Sequence, residues 1–72
     1  MPRINAYVRG KDEPVGTVIA PAYRSKQQQP DRFEEVTQSG VTAKSRWLYG
    51  DATSIQFETI EDAQRWPTFE PS

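Results

Sequence analysis

The 72-residue sequence contains no cysteine and no histidine. Without thiols there are no disulfide bonds, and the two absences together exclude thiolate and imidazole metal ligands. They also exclude Ser-His-Asp and Cys-His catalytic groups and acid–base catalysis by histidine. No cofactor and no metal site are expected from the residue types that remain.

Long apolar runs and clustered glycines are missing as well. No segment has the length of a signal-peptide core or a membrane span, which predicts a cytoplasmic protein that does not associate with membranes. The glycines are scattered at positions 10, 16, 40 and 50, whereas a phosphate-binding loop needs several together at the start of a helix. Adjacent acids such as Glu34 and Glu35 point to opposite faces of a strand, so they cannot converge on a substrate. We therefore predict that the protein is not an enzyme.

The length of the chain fits one small domain, 1–72. Hydrophobic residues make up 35% of the chain and aromatic residues 11%. A core this thin is close to the minimum for independent folding, and formation of a homodimer would reinforce it. Residues 1–32 contain six basic and three acidic side chains, while 33–72 contain three basic and seven acidic ones. This asymmetry is modest and is typical of a dipolar surface.

The first half of the chain predicts a hairpin followed by a loop. Residues 3–9 alternate between apolar and polar, as in a half-buried strand, and 15–20 are rich in β-forming residues. The polar stretch 10–14 between them has the composition of a turn. Gly16 inside the second strand indicates a bulge or a close approach of another backbone. Residues 22–32 are polar, basic and aperiodic, and we interpret them as an exposed loop.

The second half predicts further strands and a short helix. Residues 33–37 are compatible with a helix or a strand, and we favour a strand that turns at 38–40 into a β segment at 42–49. In that segment alternation places Trp47 inward and Lys44 and Arg46 outward. A turn at 50–52 leads to a strand at 54–58. Thr59 fits the N-cap of a helix that ends before Pro67, and 67–72 is predicted to be an irregular tail.

The predicted fold is therefore α+β and mostly β. We expect a small antiparallel sheet of four or five strands with one short C-terminal helix. Short turns between successive strands indicate a meander, and its closure into an SH3-like small barrel is an alternative.

Binding of another macromolecule is the function that remains. Small size and the lack of catalytic residues are also typical of phage or mobile-element proteins that inhibit a host protein by binding it. Tyrosine and arginine are enriched in the residues that dominate protein interfaces, and the long loop is a natural contact region. The first hypothesis is a protein-binding module or inhibitor. Its predicted contact residues are Tyr7, Arg9, Tyr23, Arg24, Lys26 and Arg32.

The second hypothesis is binding of nucleic acid. Lys44 and Arg46 share the outer face of the strand at 42–49. Together with the basic N-terminal half of the chain they could contact phosphates, with tyrosine rings stacking on bases. The sequence pI of about 5.3 argues against it, because nucleic-acid-binding domains usually have a pI above about 9. The same residues are also explained as an ordinary charged outer face of a sheet.

Overall fold

The computed structural model describes residues 2–21, 32–48 and 51–72. They form one six-stranded sheet and one short helix, which confirms the predicted class, α+β and mostly β. In chain order the elements are β1 (Arg3–Val8), β2 (Gly16–Ile19), β3 (Arg32–Gln38), β4 (Val41–Leu48), β5 (Asp51–Phe57), α1 (Ile60–Arg65) and β6 (Glu70–Pro71). The loop predicted at 22–32 falls outside the described residues, except that Arg32 begins β3.

Two antiparallel units form from neighbouring segments, as predicted. β1 pairs with β2 so that Ile4 lies opposite Val18, and β3, β4 and β5 form a three-stranded meander. The favoured strand at 33–37 is thus confirmed. The turn between β3 and β4 consists of Ser39 and Gly40, with φ angles of 53° and 76°. Two positive φ angles are the signature of a type I′ turn, which matches the twist of the flanking strands.

The two units are joined by a pairing that the meander hypothesis did not anticipate. β1 lies beside β5 and runs parallel to it, with Ala6 opposite Ile55 and Val8 opposite Phe57. The order across the sheet is β3-β4-β5-β1-β2-β6. The prediction of a single meander was therefore wrong, and so was that of four or five strands. Because β3 and β6 lie at opposite edges, the described sheet is open and is not an SH3-like barrel.

One face of the sheet carries the apolar core. Alternate residues of four strands are buried there, including Ala6, Val18, Ile55 and Phe57, each at most 1% exposed. Val41, Ala43 and Trp47 of β4 continue this face. The hydroxyl of Ser45, the buried polar residue of the strand, donates to the carbonyl of Ser54 at 3.3 Å, so its burial is compensated.

Helix α1 packs against this core face. The Thr59 hydroxyl accepts a hydrogen bond from the Asp62 amide at 3.1 Å, which confirms the predicted N-cap. Ala63 and Trp66 are buried, and the Trp66 ring meets Phe57 edge-on with centroids 5.3 Å apart. Ile60, the first residue of the helix, is 39% exposed. Within the described ranges, no helix has the length and apolar composition needed to cross a membrane.

The residues after α1 form an edge strand, so the prediction of an irregular tail is wrong at Glu70 and Pro71. Both residues pair with β2, opposite Thr17 and Gly16 respectively. The pairing is possible because Gly16 has no side chain: a Cβ there would lie 2.2 Å from the Glu70 carbonyl oxygen and 2.7 Å from the Phe69 ring. The close backbone approach predicted for Gly16 is therefore confirmed.

Candidate binding surface on the open sheet face

The side of the sheet opposite the core is covered by no element in the described part of the chain. We call it the open face. It consists of the outward residues of five strands. They are Arg3, Asn5, Tyr7, Thr17, Ile19, Phe33, Glu35, Thr37, Thr42, Lys44, Arg46, Leu48, Ser54 and Gln56. Arg9 and Glu58, just beyond β1 and β5, extend it.

Strand pairing aligns these residues in rows across the sheet. One row contains Tyr7, Gln56, Lys44 and Glu35, each opposite the next on neighbouring strands. Directly paired side chains have Cβ atoms about 4.5–5.5 Å apart. The parallel pairing of β1 with β5 therefore brings the tyrosine of the first strand within two strands of the lysine of β4.

The adjacent row contains Asn5, Ser54, Arg46 and Phe33. The Arg46 guanidinium carbon lies 5.8 Å from the centre of the Phe33 ring, which is within the range of a cation–π interaction. Phe33 is nevertheless 64% exposed. A large aromatic side chain therefore stands in solvent at the edge of the sheet, held beside a cation.

Between the two aromatic rings lies a shallow depression of about 480 Å³, which we call the aromatic–basic groove. Its walls contain two rings and three cations, with no carboxylate among the described lining residues. The lining residues are Tyr7, Lys11, Phe33, Lys44, Arg46, Thr53, Ser54 and Gln56. The β-bulge at Arg46 and Trp47 adds Thr53 to this surface, where its hydroxyl donates to the Arg46 carbonyl at 3.2 Å.

A second depression on the same face has mixed charge. Its charged lining residues are Arg9, Glu35, Lys44 and Glu58. Arg9 and Glu58 form an exposed ion pair at 3.3 Å. Such exposed pairs stabilise a fold by less than about 1 kcal/mol, so these groups remain available to a partner. The open face thus presents both signs of charge.

The far end of the face is held together by Arg3. Its Nε donates to the Thr17 hydroxyl at 2.9 Å, and its Nη2 donates to the carbonyls of Thr17 and Thr68 at 2.9 and 2.6 Å. The Thr68 hydroxyl in turn accepts from the Ile19 amide at 3.1 Å. Arg3 therefore joins β1, β2 and the segment before β6, and its contacts are structural.

The structure divides the predicted contact residues. Four of them lie on the open face. Tyr7 and Arg9 were predicted to contact a protein, and Lys44 and Arg46 were predicted to contact nucleic acid. Arg32 lies on the other side, opposite Trp47, and its guanidinium is bonded to the Glu34 carboxylate. The remaining predicted residues lie outside the described part of the chain. They are Tyr23, Arg24 and Lys26.

Phe33 and Leu48 are contact candidates that were not predicted from the sequence. Phe33 was missed because its segment was ambiguous between helix and strand. Once 33–37 is a strand, Phe33 shares a side with the charged Glu35, and that charge marks the solvent face. Leu48, which is 42% exposed, could have been selected because it alternates with Lys44 and Arg46.

No metal centre is formed by the described residues, in which no three histidine, cysteine, aspartate or glutamate side chains cluster suitably. Comparison of the chain with protein-family models, with curated proteins and with solved structures gave no match.

Proposed function

We propose that this protein is a small, non-enzymatic binding module that attaches to a partner protein through the open face. It acts as an inhibitor or accessory factor by covering part of the partner's surface. The observation that carries the proposal is the exposure of Phe33, 64% open to solvent, beside Arg46 on a sheet face that no described element covers.

The composition of the face supports a protein partner. Aromatic residues and arginine are enriched in protein interfaces, and they dominate the binding energy where they are packed at the centre. Tyr7, Phe33 and Arg46 are such residues, and they line one groove. Leu48, 42% exposed at the end of β4, adds apolar area on the same side.

The charges of the face also favour a protein. Glu35 lies opposite Lys44 on the neighbouring strand, and Glu58 lies beside Arg9. These carboxylates would repel the phosphates of a nucleic acid that extended beyond the groove, because like charges at short range are unfavourable. A protein surface with charges of both signs matches this arrangement, and complementary charge sets the orientation of binding.

A comparative capture experiment tests the proposal. The tagged protein is incubated with a lysate of its source organism, and retained proteins are identified by mass spectrometry. The test variant is Phe33→Ala with Arg46→Ala. The matched control is Ile60→Ala with Arg65→Ala, which removes one exposed apolar residue and one exposed cation from α1. We expect a partner that the control retains and the test variant loses. A partner held equally by both variants would disprove binding through the open face.

A second candidate function, binding of single-stranded nucleic acid, is favoured by one observation. The aromatic–basic groove combines Tyr7 and Phe33 with Lys11, Lys44 and Arg46, and no described lining residue is acidic. Proteins that bind single strands stack bases on aromatic rings and contact phosphates with cations in this way.

A salt titration separates the two candidates. Binding of a fluorescent single-stranded oligonucleotide is measured by anisotropy at increasing salt concentration. Binding to phosphates predicts a steep fall in affinity, with the slope reduced by about one for each cation removed by Lys44→Ala or Arg46→Ala. Arg65→Ala on α1 serves as the control. Absence of binding at low salt would eliminate this candidate.

A further inference from the structure

The two edges of the sheet differ in their protection against further pairing. β6 is an edge of two residues that includes Pro71, and short edges with proline resist the addition of another strand. β3 is an edge of seven residues, Arg32–Gln38, without proline or glycine. The described sheet has a β-bulge between β4 and β5, but this bulge does not disturb the β3 edge.

The hairpin determines which backbone groups of β3 point outward. Gln38 and Val41 flank the two-residue turn, so they form a hydrogen-bonded pair, and alternate pairs along the ladder do the same. Thr37 and Thr42 are then a non-hydrogen-bonded pair, which brings side chains close, and their hydroxyls are 3.0 Å apart. The amides and carbonyls of Phe33, Glu35 and Thr37 consequently point away from β4, to the side where no described strand pairs with β3.

We propose that this edge pairs with the β3 strand of a second copy of the chain, in an antiparallel arrangement centred on Val36. A two-fold axis perpendicular to the sheet places one β3 residue opposite itself. Only centres at Glu34, Glu35 or Val36 pair five or more residues of the strand. A centre at Glu34 or at Glu35 places the carboxylate of that residue directly opposite the same carboxylate of the second copy, which is unfavourable.

The arrangement centred on Val36 avoids that repulsion. It places Glu35 opposite Thr37 and Glu34 opposite Gln38 of the other copy. Glu35 and Thr37 carry the outward backbone groups, so the two symmetric pairs exchange four backbone hydrogen bonds. Val36 is half-buried against the core, and contact with its symmetry mate would bury it further. Among the registers open to two copies of this strand, the charge pattern thus favours the one centred on Val36.

The proposed dimer would extend the function inferred above without depending on it. The axis is perpendicular to the sheet, so both open faces point to the same side and form one continuous surface of twelve strands. Each copy then presents its Phe33 near the junction.

Charge variants at Thr37 test the register directly. In the dimer, residue 37 of each copy lies opposite Glu35 of the other copy, which gives two equivalent pairs. Thr37→Lys should therefore tighten association and Thr37→Glu should weaken it, each by roughly threefold or more. Both variants lose the same Thr37–Thr42 hydroxyl contact, so they are matched for that effect on the monomer. Sedimentation equilibrium measures the dissociation constant, and circular dichroism confirms that each variant is folded. Mass rises from 8.2 kDa to twice that value in the dimer.

A third variant, Thr37→Pro, removes one outward amide while leaving the ladder to β4 intact, and we expect it to abolish the dimer. A chain that remains monomeric at about 1 mM would overturn the proposal. Shifts of the Lys and Glu variants in the same direction would also overturn it. If the chain is monomeric and Thr37→Pro abolishes capture of another protein, that protein's strand occupies the edge instead of a second copy. None of these results depends on the open-face variants used above.

Discussion

Phe33 and Arg46 lie directly opposite each other on β3 and β4, with the guanidinium carbon 5.8 Å from the ring centre. The pair is on the open face, and the phenylalanine is 64% exposed. In contrast, Trp47, the next residue along β4, is 3% exposed on the core face. Neighbouring residues of one strand therefore belong to two different faces of the sheet, one buried in the core and one exposed to solvent.

This division predicts opposite effects of two aromatic substitutions. Trp47→Ala should lower the free energy of unfolding by about 3–5 kcal/mol, because it leaves a cavity in the core. Phe33→Ala should lower it by no more than about 1 kcal/mol, the value of an exposed cation–π contact. Urea unfolding followed by circular dichroism measures both. Equal losses for the two variants would contradict the assignment of the faces.

Gly16 should be sensitive to the smallest side chain. In Gly16→Ala, the Cβ would overlap the Glu70 carbonyl oxygen, and such overpacking costs about 1–3 kcal/mol. The Ser72 amide donates to the Val15 carbonyl at 3.2 Å. The protection of this amide from hydrogen exchange therefore shows whether β6 is paired with β2. We expect Gly16→Ala to lose this protection. Gly10→Ala is the control: its Cβ would meet no atom within 4 Å, although the φ angle is positive. This variant should retain the protection of the Ser72 amide.

The cap of α1 should contribute measurably because the helix has only six residues. Thr59→Ala removes the oxygen that accepts from the Asp62 amide and should destabilise the protein by about 0.5–2 kcal/mol. Thr59→Ser keeps that oxygen and should cost little. Thermal unfolding of the two variants provides the comparison. If serine and alanine were equally destabilising, the capping hydrogen bond would not be the source of the effect.

Local features of the fold could be predicted because they depend on neighbouring residues. The inward position of Trp47 follows from a side-chain period of two, the N-cap at Thr59 from one hydroxyl before two acids, and the 38–40 turn from its glycine. β6 could not be predicted, since two residues including Pro71 have no strand signature. It forms because Gly16, more than fifty positions earlier, leaves room for its backbone.

The candidate site was less predictable, because it depends on a pairing between distant segments. Tyr7 and Lys44 were each predicted as contact residues, but for different partners. Gln56 of β5 lies between them only because β1 runs parallel to β5. Parallel pairing of segments this far apart leaves no periodic signal in the chain. Two hypotheses formed separately from the sequence therefore meet on one surface.

The most direct test of the account is the dissociation constant for the captured partner protein, measured by calorimetry. Wild type is compared with Phe33→Ala/Arg46→Ala and with Ile60→Ala/Arg65→Ala. If the open face is the binding surface, the first double variant should weaken binding by about tenfold or more, and the second should stay near wild type. An unchanged constant for the Phe33/Arg46 variant, with the protein folded, would contradict the claim that this face binds the partner.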